Sequence, residues 1–262
     1  MKTKYLKYTP PLLVALLASS GASATTYNLS STVSGTFQKW TESTPGVLTN
    51  TDNTTSLDNL MAGNASAPGG NIQLVTLSGV AETLSTTFDN GKTLTLSSLT
   101  AADWGTPNSG GLLDIWSQQV ISTYPHSGVT LAVFEAGMTA HSNYLETVFG
   151  NPNISYANLD GNGAISIGIA GYYDIGTILG ASYAGDKISK IVKASYNGST
   201  PEYLFSMGSY SATQSGVYAI IPNQPNAFTG NYEVKIPEPS SLALLFAGLT
   251  GFLGLRRKAV TA

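Results

Sequence analysis

Two uninterrupted apolar runs, one near each end of the chain, limit what can fold. Leu12 to Ala18 follows Lys2, Lys4 and Lys7, and Ser240 to Leu255 precedes Arg256, Arg257 and Lys258. Neither run has a polar face or a helical period, so neither reads as one flank of a globular core. The foldable body is thereby confined to Thr25–Ile236, where six basic residues stand against fourteen acidic ones, a net charge of −8. With no basic cluster such a body is not built for nucleic acid, because affinity for phosphate backbones comes from Lys and Arg. The chain is 42% apolar and 10% aromatic, which excludes long disorder. It has no cysteine, so neither a disulfide staple nor a thiolate nucleophile is available.

Residues 1–24 read as a secretory signal peptide. Three lysines precede the short apolar run, and Ala22-Ser23-Ala24 fits the small-x-small rule for cleavage after Ala24 by signal peptidase. At the far end, sixteen helical residues would reach about 24 Å against a hydrocarbon core of about 30 Å. Local thinning and snorkelling arginines make that a workable transmembrane helix. The basic triplet then stays cytoplasmic and the body lies outside the inner membrane. Pro237-Glu238-Pro239, just upstream, forbids helix and favours extended backbone that a processing enzyme can grip.

A Pro-Glu-Pro triplet, then a short hydrophobic helix, then a terminal basic cluster resembles the PEP-CTERM sorting signal of exopolysaccharide-producing Gram-negative bacteria. The resemblance covers Ile236 to Lys258. It implies that an exosortase, a membrane protease-transpeptidase, recognises Pro237, Glu238 and Pro239. It also implies removal of the tail and delivery to the outer surface or extracellular matrix, in an exopolysaccharide or biofilm setting. In the body, Asn151-Pro152-Asn153-Ile154-Ser155-Tyr156, Ile165-Ser166-Ile167-Gly168 and Tyr173-Asp174 are similar to an uncharacterised subgroup of such proteins, which implies no activity.

The chain therefore divides into a leader (1–24), an exported body (25–236) and a sorting tail (237–262). The body is expected to be α+β, one mainly antiparallel sheet with a helical insertion over about residues 100–150. Tyr27 to Val33 alternates with period two, and Phe37 extends the pattern; Asn71 to Val80 is a second strand. Thr41 to Gly70 reads as loop, with a short helix near Leu57–Met61. Glu82–Phe88 and Lys92–Ser97 flank Asp89-Asn90-Gly91, a hairpin signature. Thr100 to Asp103 offers a capping box, and Leu112 to Tyr124 carries apolar residues at helical spacing until Pro125 stops it. Val129–Phe134 suits strand or helix, and Ser142–Phe149 reads as a short helix. A second hairpin turns at Asn197-Gly198.

No catalytic motif stands out. There is no G-x-S-x-G elbow, no Walker A and no dinucleotide fingerprint, and His126 and His141 fit no zinc pattern. Asn158, Asp160 and Asn162 imitate the first ligands of an EF-hand loop, but Ile169 takes the place of the bidentate acid. A polar, glycine-rich turn is the simpler reading; a calcium site completed by a distant acid such as Asp174 is the alternative. Trp40 and Trp104, at element ends, are the candidate rings for stacking on carbohydrate. A secreted hydrolase would need two facing carboxyls drawn from Asp103, Asp114, Glu135 and Glu146. The expectation is a non-enzymatic exported surface or matrix protein.

Overall fold

The computed structural model describes residues 30–34, 37–44, 47–50, 56–61, 63, 70–126, 128–140, 144–160, 163–174, 176, 180, 182, 187–207, 212–213 and 228–236. The leader with Ala24, the positions His141 and Asn162, and the tail from Pro237 onward lie outside them. The strands are β1 (Ser30–Ser34), β2 (Phe37–Thr44), β3 (Val47–Asn50), β4 (Gly70–Leu74), β5 (Thr83–Thr87), β6 (Thr93–Ser97), β7 (Asn153–Leu159), β8 (Ile165–Asp174), β9 (Lys187–Ser189), β10 (Val192–Tyr196), β11 (Glu202–Leu204), β12 (Ala212–Thr213) and β13 (Phe228–Ile236). The helices are α1 (Leu57–Met61), α2 (Ala101–Trp104), α3 (Leu112–Thr123) and α4 (Leu131–Ala140), followed by a π-helical turn, Tyr144–Phe149.

The α+β class and the antiparallel pairing hold, but the strands form two sheets rather than one. The first runs β1-β5-β6-β10-β11; the second runs β12-β13-β8-β7-β4-β2-β3, with β9 also on β8. Leu84, Leu94, Leu96, Val192 and Ala194 from the first sheet meet Ile72, Leu74, Ile154, Ile167, Ile169 and Val234 from the second in one cluster. The sheets thus face each other as a sandwich. In β5 and β6 every second residue is buried, so one face is apolar and the other carries Ser and Thr.

Local pattern misplaced three pieces. Period two continues from Val33 to Phe37, yet β1 joins one sheet and β2 the other, so the chain changes sheets between Ser34 and Phe37. Residues expected as loop extend β2 to Thr44 and form β3, because threonine fits a pleated ladder once a partner strand offers one. The segment read as one strand from Asn71 to Val80 stops at Leu74. It ends in a tight turn from Leu77 to Val80, with Ser78 (φ 52°) and Gly79 (φ 77°) both left-handed.

The helical insertion stands where expected and builds a second core. Trp116 lies at its centre, with Trp104, Phe134 and Phe149 at ring-centroid distances of 5.7, 5.8 and 4.8 Å. Val129–Phe134 resolves as the approach to α4 and its first turn. The expected short helix near 142–149 is wound as π: the Gly150 amide donates to the Leu145 carbonyl, five residues back. At its end the Phe149 carbonyl accepts from the Ile191 amide and the Gly150 carbonyl from the Leu99 amide, which pins the turn to two other segments of the cap core.

Candidate functional site

Where the chain steps between the sandwich core and the cap core, polar residues stand at Ser98, between Leu96 of the sandwich and Leu99 of the cap, and at Asn151 and Asn153, between Phe149 and Ile154. Ser189 and the part-buried Lys190 lie beside them, between Ile188 and Ile191 of the cap and just before Val192 of the sandwich. Together they form a largely buried polar seam. The Thr76 hydroxyl donates to the Leu99 carbonyl (2.7 Å) and is bonded to the Ser98 hydroxyl (2.9 Å), and its amide donates to Asn151 Oδ1 (2.9 Å). The amide of Glu82 donates to Ser98 Oγ, and Glu82 Oε2 accepts from the Val75 amide. Further along, Lys190 Nζ donates to Asn153 Oδ1 (2.9 Å), and Asn153 Nδ2 donates to Asn71 Oδ1 (2.8 Å). Burial pushes the Lys190 ammonium down to about 8.

The sequence reading did not single out Lys190. No periodic signal marks it, since Ile188, Ser189, Ile191 and Val192 around it are all buried and the lysine falls between two strands of different sheets. Asn153 stands among the residues that carry the resemblance in the body.

The residues nominated from sequence are placed as follows. Asp103 closes the N-terminus of α2, its Oδ2 accepting from the Thr100 amide and hydroxyl. Its Oδ1 accepts from Lys193 Nζ at 2.6 Å and from the Tyr203 hydroxyl at 3.0 Å. Burial pushes this carboxyl up, but the bonds from Lys193, Thr100 and Tyr203 outweigh it and hold Asp103 below its ordinary value. Burial, with the bond to Asp103 and its negative field, pushes the Tyr203 hydroxyl up to about 12. Asp114 accepts from the Asn108 and Gly110 amides in the loop before α3. Glu135, on α4, is 1% exposed, and no N–H or hydroxyl of the described residues reaches either oxygen. Burial, and then the negative charge of Asp114, push Glu135 up.

Of the four acids, Asp114 and Glu135 are therefore the pair that the fold brings together. Asp114 is occupied by loop amides and Glu135 is sealed from solvent, so neither is set across an open cleft. Glu146 lies half-buried on the π-helical turn.

Trp104, nominated as a stacking ring, is 2% exposed and packed edge-on against Trp116, so it belongs to the core and offers no face to a ligand. Trp40 is half-buried on β2, opposite Asn71 of β4. Asp160 spends Oδ1 on the Ala164 amide (2.9 Å), closing the turn from β7 into β8, and Asn158 Nδ2 donates to the Gly63 carbonyl. No group of three His, Asp or Glu suited to a metal occurs among the described residues. No described helix is long and apolar enough to cross a membrane.

The last strand leads into the tail without a spacer. Ile236 is paired with Ile165 of β8 and is 8% exposed; Pro237 follows it directly. Residues 235–258 match the PEP-CTERM protein-sorting motif. The motif implies that the chain is an exosortase-targeted exported protein. No curated protein and no solved structure matches the chain.

Proposed function

We propose that this chain is a non-enzymatic surface or matrix protein that works among exopolysaccharides after an exosortase removes its tail. The observation that carries the reading is the sorting motif at 235–258, which begins within the last two residues of β13. A leader removed after Ala24, an apolar anchor at 240–255 and Arg256-Arg257-Lys258 on the cytoplasmic side complete the route. Exosortase would meet Pro237-Glu238-Pro239 where the hydrogen-bonded ladder ends, since proline has no amide to continue it. Trp40 is the ring best placed to meet a saccharide. An acidic, cysteine-free body packed as a sandwich suits a passive binding role outside the cell.

Fractionation of producing cells tests the reading. The wild-type chain is expected in the outer-surface or extracellular fraction, without its tail. Replacing Pro237, Glu238 and Pro239 by alanine is expected to leave it full-length in the inner membrane. An unchanged distribution would remove the assignment.

A further inference from the structure

We propose that Lys190 and Asn153 join through their side chains, forming an intramolecular amide cross-link that staples the β9–β10 crossover to β7. The two are held nitrogen to amide at 2.9 Å across 37 residues of sequence. Asn153 is 8% exposed, and its Nδ2 is committed to Asn71 Oδ1, which is itself in a residue only 3% exposed. That commitment fixes which end of the amide faces the lysine. A flipped amide would set two donors against each other at Lys190 and two acceptors at Asn71.

The lysine is placed for nucleophilic use rather than for charge pairing. No carboxylate of the described residues lies within ion-pair distance of it; the ion pair present belongs to Lys193 and Asp103. With no counter-ion among the described residues, a part-buried ammonium is disfavoured and the neutral amine, the reactive form, is more readily populated. Its acceptor is a neutral amide, which supplies an electrophilic carbon one bond beyond the oxygen already in contact.

The step balances without oxidant or cofactor. Neutral Nζ swings out of the amide plane and places its lone pair on Cγ of Asn153. The Cγ–Nδ2 bond then breaks, Nδ2 takes the proton shed by Nζ, and ammonia leaves. A new Nζ–Cγ amide remains. Asn71 Oδ1, already bonded to Nδ2, faces the nitrogen on which positive charge develops. Asparagine side chains lose ammonia to adjacent backbone nitrogens without a catalyst, and a neutral amine is the better nucleophile. Fixed proximity of this kind is worth effective concentrations of about 10⁵ to 10⁸ M. The bond would sit in the seam between the two cores and cross-link a chain that has no thiols.

Mass spectrometry of the mature chain, purified from producing cells and then aged at mildly alkaline pH, tests this. The wild type is expected to weigh less than its linear sequence by one ammonia. Trypsin is expected to spare Lys190 and release a branched peptide containing both Asn153 and Lys190. Lys190→Met and Asn153→Ala are expected to show the full linear mass. A linear mass for the aged wild type would overturn the proposal, whatever the variants do. So would an ammonia loss that persists in Lys190→Met, which would mark a succinimide at an asparagine instead.

Discussion

Gly168 lies on β8 opposite Tyr156 of β7, at the irregular register step between Ile154 and Tyr156. A methyl group there would overlap the Cε1 and Cδ1 edge of the Tyr156 ring and Ser155 Oγ. Ser155 is 1% exposed and Tyr156 fully buried, so neither can swing into solvent. Gly168→Ala must therefore push a fixed ring or force β7 and β8 away from each other. Overpacking of a closed site costs about 1–3 kcal/mol, and two blocked neighbours place this case near 2–3. For a body of this size that is a fall in melting temperature of about 4–12 °C. The assay is thermal unfolding by circular dichroism of the wild type, Gly168→Ala, Tyr156→Ala and the double variant. With the ring removed, the added methyl is expected to cost little, so the two changes couple by about 1–2 kcal/mol. A Gly168→Ala protein melting with the wild type would refute the account, as would strict additivity in the double variant.

Asp103→Asn, which breaks the contacts to Lys193 and Tyr203, is expected to cost about 1–2 kcal/mol at neutral pH, seen in urea unfolding. Because the folded Asp103 carboxyl lies below its ordinary value, its contribution is present above that value and fades as pH falls through the folded one. The gap to wild type should close in strong acid. Glu135→Gln acts in the opposite sense. A carboxyl raised by folding loses stability as pH rises past the ordinary range, so the glutamine variant is expected to be the more stable at neutral pH by about 1 kcal/mol and equal to wild type in acid. Millimolar calcium is expected to leave the melting temperature unchanged, since Asp160 Oδ1 is held by its own turn; a clear upward shift in a melt would reinstate a metal site.

What could be read from the sequence was what neighbouring residues decide among themselves. Alternation in Thr83–Thr87 and Thr93–Ser97, the helical spacing of Leu112, Leu113, Trp116 and Val120, and the Thr100–Asp103 box all rest on contacts within a few residues. Turn chemistry was legible in kind but not in detail. At Asp89-Asn90-Gly91 only Gly91 takes a left-handed angle, whereas Asn197 and Gly198 both do. The division into two sheets was not legible, because β1 and β2 differ only in which distant strand each one meets. Trp104 was misplaced for a related reason: an aromatic at an element end is equally suited to surface and core until Trp116 closes over it. The Lys190–Asn153–Asn71 chain joins three segments far apart in sequence, and only folding assembles it.

The position of β13 sets an order of events. The last strand of the body is not at a margin but between β12 and β8, and its end pairs with Ile165. A polypeptide emerging amino end first cannot complete that sheet until Ile236 has cleared the export channel. By then the greasy tail would already be entering the lipid. The final closure of the globule and the arrival of its cutting enzyme would thus coincide in time and place. Scission before β13 docks would leave Ile165 and Val234 bare beside a bilayer, so late folding would guard the product against premature release.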